Sequence, residues 1–282
     1  MDTCLVSHGV DPAWAWADGG ETDATSTYAS LVNANTACAS AAGNYWECVG
    51  HVAWPQVRGA ATTIFQTRVA DSVSGGTLDR MTVAVCGSRD IDCTMPWATG
   101  NTDPSGLITL LVPLPMGPID TTGYLKVTGP PANPTATVPT YEYWGFPLTQ
   151  DHEVFGRASF VTPAESKSVA NVIAAEFDGG FDPNLGVLVA VVIDCVDAPA
   201  PGAQVTLSPA DPRTVAISDS NFAPAAPITN SNGVVVFVNV PAGPVTVTAN
   251  PAAIARPSGT VGVTVRAGMG TTTIVIVPPT PL

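Results

Sequence analysis

Two stretches of this chain share one plan, and that repetition limits the fold more than any other feature. Residues 228–249, ITNSNGVVVFVNVPAGPVTVTA, run as turn, valine-rich strand, turn and strand, with no charged side chain. Residues 102–128 follow the same plan: TDPSGLITLLVP, a spacer, then GYLKVT. Short apolar strands bounded by Gly, Pro and Asn turns belong to layered β-sheets. Two copies in one chain predict two β-sandwich modules in tandem.

Composition agrees. A chain of 282 residues has room for two ordinary domains, and 45% apolar with 12% charged residues argues against intrinsic disorder. Formal net charge is −13, from 10 Lys and Arg against 23 Asp and Glu. Such a surface repels phosphate backbones and anionic headgroups, so no nucleic-acid partner is expected. No apolar run approaches the ~20 residues of a membrane-spanning helix, so no membrane span is expected either.

The six cysteines are Cys4, Cys38, Cys48, Cys86, Cys93 and Cys195. None forms a CxxC motif, and His8, His51 and His152 do not cluster with them, which speaks against zinc. An even count in an acidic, lysine-poor β protein predicts disulfides and an oxidising compartment. Cys86 and Cys93 flank the polar loop GSRDID and are expected to staple it. The other four allow three pairings, which stay open. Met1 is followed by polar residues rather than a signal peptide, which fits either a mature form whose leader was removed or a cytosolic chain. The cysteines favour the first, and the chain is expected to be extracellular or in the cell envelope.

Residues 1–44 are small and polar around Trp14 and Trp16 and are expected as an irregular arm. The first module is expected over 45–150. In it Met81, Val83 and Val85 alternate with Thr82 and Ala84, as in a half-buried strand. Residues 151–184 are expected as a linker with a helix at 163–177. Thr162, Pro163 and Glu165 form a capping box, Val169, Val172, Ile173 and Phe177 follow helical spacing, and Gly179-Gly180 supplies the stop. The second module is expected over 185–282. It opens on VLVAVVIDC, expected as a strand buried on both faces, and the 228–249 stretch is expected as a hairpin.

Three motifs carry a family likeness. The second module has Gly202-Ala203-Gln204-Val205, then Thr229-Asn230-Ser231-Asn232-Gly233, then Val240-Pro241-Ala242-Gly243. The first keeps Thr102-Asp103-Pro104-Ser105-Gly106 and Gly123-Tyr124-Leu125, but has Asp79-Arg80-Met81-Thr82-Val83 in place of Gly-Ala-x-Val. The chain thereby resembles the carboxypeptidase regulatory-like, transthyretin-like β-sandwich domains of secreted and envelope proteins. That resemblance implies accessory, spacer, adhesive or ligand-binding modules rather than enzymes. Its motifs are turn chemistry, which specifies fold better than function.

The fold class expected is therefore all-β, two tandem Ig-like or transthyretin-like sandwiches. Three site candidates follow. Asp90 and Asp92, with Asp103 downstream, offer oxygens to calcium, and no other cofactor is expected. Asp178, Asp182 and Asn184 offer a similar, sparser set. Tyr141 and Tyr143 on one strand face, or Trp144 with Phe146 on the other, offer a stacking platform for a glycan. No G-x-S-x-G elbow occurs, and Asp151-His152-Glu153 lacks a nearby nucleophile, so no catalytic residue is assigned. The function expected is a non-catalytic scaffold, adhesin or filament subunit with protein partners, self-associating through the N-terminal arm or sheet edges. The alternative is a carbohydrate-binding or accessory module of a secreted hydrolase.

Overall fold

The structure, a computed structural model, describes residues 46, 49, 61–71, 75–114, 122–145, 154–161, 181–195, 198–217, 224–268 and 272–277. The N-terminal arm, the 163–177 helix, Cys4, Cys38, Cys48 and the three histidines lie outside the described residues. Within them all regular structure is β-strand, as expected. The first repeat contributes β1 (Ala61–Asp71), β2 (Thr82–Gly87), β3 (Ala98–Asn101), β4 (Leu107–Leu114), β5 (Gly123–Thr128), β6 (Thr140–Trp144) and β7 (Val154–Val161). The second contributes β8 (Leu185–Val192), β9 (Ala203–Ser208), β10 (Val215–Ile217), β11 (Val234–Pro241), β12 (Gly243–Pro251), β13 (Gly259–Val265) and β14 (Thr272–Val277).

The repeats share a connectivity. β1 lies between antiparallel β4 and parallel β7, and β8 lies between antiparallel β11 and parallel β14. In the facing layers β5 pairs with β2 and β6, and β12 pairs with β9 and β13. The repeats are also fused. β14 pairs in parallel with β6, from Thr272–Thr140 to Ile276–Trp144, giving one eight-stranded sheet of order β10-β11-β8-β14-β6-β5-β2-β3. Two three-stranded sheets, β4-β1-β7 and β13-β12-β9, complete the layers.

Strand alternation fills two cores. Phe65, Val69, Met81, Val83, Val85, Ile108, Leu110, Val112, Leu125, Val127 and Trp144 pack together in the first repeat. Leu188, Ala190, Val192, Val205, Phe237, Val245, Val247 and Val263 anchor the second core. Trp46, Val49, Cys86, Tyr124, Tyr141 and Tyr143 join that second core, so it reaches across the seam between repeats.

Three local expectations change. Residues 151–184 are not all linker, because β7 lies inside that stretch and closes the first repeat against β1. Residues 228–249 are not a hairpin: β11 pairs with β8 and β12 with β9 and β13, so the Pro241-Ala242-Gly243 turn carries the chain between layers. β8 is half-buried on one face, since Leu188, Ala190 and Val192 are enclosed while Val187, Val189 and Val191 are partly accessible. Among the described residues no helix is long and apolar enough to cross a membrane.

Candidate functional site

The motif residues act first as fasteners. In the 102–106 turn, Asp103 Oδ1 accepts the Ser105 N–H (2.8 Å), the Leu107 N–H (3.0 Å) and the Ser105 hydroxyl (2.7 Å). The Ser105 hydroxyl bond, then the two backbone bonds, outweigh slight burial and hold the Asp103 carboxyl below its ordinary value. Thr102 Oγ1 accepts the buried Met81 N–H (2.9 Å) and donates to Leu78 O (2.7 Å). The second repeat copies this arrangement. Asn230 Oδ1 accepts the Asn232 (2.9 Å) and Val234 (3.1 Å) N–H groups, and Thr229 Oγ1 accepts from Ala203 N (2.9 Å) and donates to Ala200 O (2.6 Å).

The richest polar and aromatic cluster lies at the seam. Cys86 at the end of β2 and Cys93 form a disulfide with Cα atoms 5.5 Å apart, as expected. Cys195 is disulfide-bonded too. The closed loop turns its carbonyls toward β5 and β13. Ile91 O accepts the Tyr124 hydroxyl (2.9 Å), with Asp90 O sharing it, and Asp92 O accepts Lys126 Nζ (3.2 Å). Arg266, just past β13, reaches in from the second repeat. Its guanidinium lies 3.3 Å from the Tyr141 ring centroid and 5.6 Å from that of Tyr124. It donates to Thr264 O (3.1 Å), Tyr143 Oη (3.4 Å) and Ile91 O. Burial pushes the Tyr141 hydroxyl up in pKa, against the opposing charge of Arg266, and pushes Tyr124 further in the same direction. Beside this cluster a cleft of about 240 Å³ opens between Ser88, Tyr143, Pro244, Thr246, Gly262 and Thr264.

The expected calcium set is not assembled. Asp90 and Asp92 sit in the disulfide loop, Asp103 in the β3–β4 turn, and the oxygens of Asp90 and Asp103 serve their own turns. Asp90 Oδ1 accepts from Thr94 N (2.9 Å) and Oδ2 from Met95 N (2.7 Å). Slight burial works against its ionisation, but these bonds prevail and the carboxyl lies below its ordinary value. Asp182 accepts from Asn184 N (2.8 Å) and from Arg213, which also pairs with Asp211, while Asp178 lies outside the described residues. Among the described residues no three His, Cys, Asp or Glu side chains group as metal ligands would.

The described members of the stacking platform are enclosed, and Phe146 lies outside the described residues. Tyr141, Tyr143 and Trp144 are only 8%, 3% and 4% exposed. The alternation is as expected, with the tyrosines on one face and Trp144 on the other. Trp144 packs on Phe65 (centroids 5.4 Å) inside the first repeat, whereas the tyrosines pack under the second. Sequence reasoning missed Arg266 because a lone arginine after a strand carries no local signal of its distant partners.

No protein-family model matches the sequence, and no curated protein matches it. Among solved structures, the Bacillus anthracis TIE protein is similar at 16% identity with a TM-score of 0.27, over 78% of this chain and 34% of that one. This chain thus spans about a third of the length of the TIE chain. The shaft pilin SpaA from Lactobacillus rhamnosus GG is similar at 10% identity with a TM-score of 0.24, over 79% of this chain and 99% of that one. GBS52, the minor pilin of Streptococcus agalactiae, gives 10% identity and a TM-score of 0.20, over 78% and 97%. Likeness at this level identifies neither a family nor an activity.

Proposed function

We propose that this chain is a non-catalytic structural or binding protein of the extracellular space or cell envelope, a scaffold, adhesin or filament subunit. In this reading it consists of two tandem sandwich domains of the carboxypeptidase regulatory-like, transthyretin-like kind. The first runs over 45–150 and extends to β7, and the second runs over 185–282. One observation carries the proposal: the polar motif residues are taken up in fastening strands. Asn230, Thr102 and Thr229 direct their side-chain bonds at neighbouring backbone, and Asp103 adds the Ser105 hydroxyl to two backbone N–H groups of its own turn. The Cys86–Cys93 disulfide supports an oxidising compartment.

Self-association is the form of this function favoured here. Among the described residues β4 pairs on one side only, and Leu111 on β4 is exposed beside its exposed cross-strand partner Ile64 on β1. An open strand edge with apolar outer residues invites strand addition. The test is electron microscopy and small-angle scattering of the full chain across concentration. Assemblies that Leu111→Lys abolishes support the reading. A strictly monomeric profile at every concentration removes self-assembly, and glycan binding by that monomer favours the carbohydrate-binding alternative.

A further inference from the structure

The tyrosine face sought from the sequence exists, but the chain already occupies it. Tyr124 and Tyr143 stack with ring centroids 4.9 Å apart, and Tyr141 lies 6.0 Å from Tyr124. These rings point away from the first repeat's core, which holds Trp144 from the same strand. Over Tyr141 lies the Arg266 guanidinium at 3.3 Å, a planar cation on an aromatic face. A stacked guanidinium keeps its N–H donors free for acceptors around the ring edge. Arg266 uses them on Thr264 O, Tyr143 Oη and Ile91 O.

Ile91 is the acceptor that lies outside the sheets. It belongs to the 90–93 turn, closed by the Cys93 N–H to Asp90 O bond (3.0 Å). Asp90 also braces residues 94 and 95 through its carboxylate. These bonds shape the turn locally. Beyond the chain itself, the disulfide to Cys86 is the covalent tie between the turn and β2, beside the bonds that Tyr124 and Lys126 on β5 donate to its carbonyls. Cys86 is fully buried, whereas Cys93 is partly accessible, so an incoming thiolate meets the Cys93 sulfur first.

We propose that Arg266 is a built-in cover on the tyrosine face and that the Cys86–Cys93 disulfide latches it. Reduction by a dithiol breaks the S–S bond: the disulfide takes two electrons and two protons to become two thiols, and the dithiol closes to its own disulfide. The 90–93 turn then swings from β2, its carbonyls give up the Tyr124 hydroxyl and Lys126 as well as Arg266, and the guanidinium lifts from Tyr141. What is uncovered is a tyrosine ring face beside the Ser88–Gly262 cleft, suited to a planar cationic side chain such as the one displaced. This device does not depend on the chain being a scaffold or filament subunit.

The test is tyrosine footprinting of the full chain with tetranitromethane, read by peptide mass spectrometry at Tyr141. Cysteine variants replace added reductant, which would also open the Cys195 disulfide. In the oxidised wild type Tyr141 is expected to react slowly. Cys86→Ser with Cys93→Ser should raise its rate several-fold, Arg266→Gln should raise it similarly, and combining all three should add little more. Hydrogen exchange of β1 and β4 amides, in the first core and away from the seam, checks that the fold persists. The proposal is overturned if the cysteine variant leaves Tyr141 as protected as before. It is equally overturned if Tyr141 reacts only when β1 and β4 also lose protection, since the disulfide would then be a folding staple and not a latch.

Discussion

The turns at 102–106 and 229–233 solve one problem with different chemistry. Each connects two layers, and their backbone bonds correspond one for one. Val69 N–H donates to Gly106 O (2.8 Å) where Val192 N–H donates to Gly233 O (2.8 Å), and Leu78 N–H donates to Val69 O (3.0 Å) where Ala200 N–H donates to Val192 O (2.9 Å). Arg80 N–H to Thr102 O (3.0 Å) matches Gly202 N–H to Thr229 O (3.0 Å). The side chains differ: a charged Asp103 against a neutral Asn230, and Arg80 at the place of Gly202. Backbone geometry is therefore the conserved quantity between repeats, and side chains are interchangeable where they accept the same N–H groups.

The severest challenge to this equivalence is a methyl group at either turn glycine. Gly233 has φ +70°, and a Cβ there meets Val192 O at 2.6 Å, while Gly106 has φ +75° and its Cβ meets Val69 O at 2.7 Å. Left-handed backbone and a clash with fixed carbonyls add up, so Gly233→Ala and Gly106→Ala should each cost about 3 kcal/mol in urea unfolding. Markedly unequal losses would break the equivalence.

A smaller effect separates the repeats by sign. Gly202 has φ +77° with nothing within 4 Å of an added Cβ, so Gly202→Ala carries the backbone penalty alone, about 1 kcal/mol. Arg80 already holds φ +54° at the matching place. Arg80→Gly removes that penalty but frees the unfolded chain, so it should stabilise by less than about 1 kcal/mol. Thermal unfolding of the two variants should shift in opposite directions.

The smallest difference is in pH response. Asp103 is held below its ordinary value of 3.8 by the Ser105 hydroxyl and the turn N–H groups. A depressed folded pKa gives stability that is present above 3.8 and lost as pH falls through the folded pKa. Asn230 does not titrate. Asp103→Asn should flatten part of the acid loss below about pH 4, leaving the slope due to Asp90, Asp182 and Asp211, whose carboxyls are also lowered. Urea midpoints from pH 5 to pH 2 check this, and an unchanged slope would show that the Asp103 turn gains nothing from its charge.

These turns were legible in the sequence because their chemistry is local: an Asx side chain reaches N–H groups two and four residues on, and glycine supplies positive φ. The Cys86–Cys93 staple was legible for the same reason of short separation. Sheet membership was not. The alternation in TYEYW correctly split tyrosines from Trp144, yet periodicity cannot say that a second repeat covers the outer face. β7 was missed because Val154–Val161 joins the sheet by pairing with a strand far earlier in the chain. Arg80 hid the first repeat's counterpart of Gly-Ala-x-Val, since only geometry places an arginine in glycine's left-handed position.

The parallel pairing of β14 with β6 also sets an order in time. Strands β7 to β13 all intervene between these partners, so a chain leaving the ribosome completes β6 long before β14 exists. Until then the β6 edge and the tyrosine face beside it stand open, the kind of unpaired edge that aggregates or recruits chaperones. The first repeat can gather its own core early, but the seam closes only after the second has been made. Truncation just before β14 should therefore leave not a smaller stable protein but a sticky one.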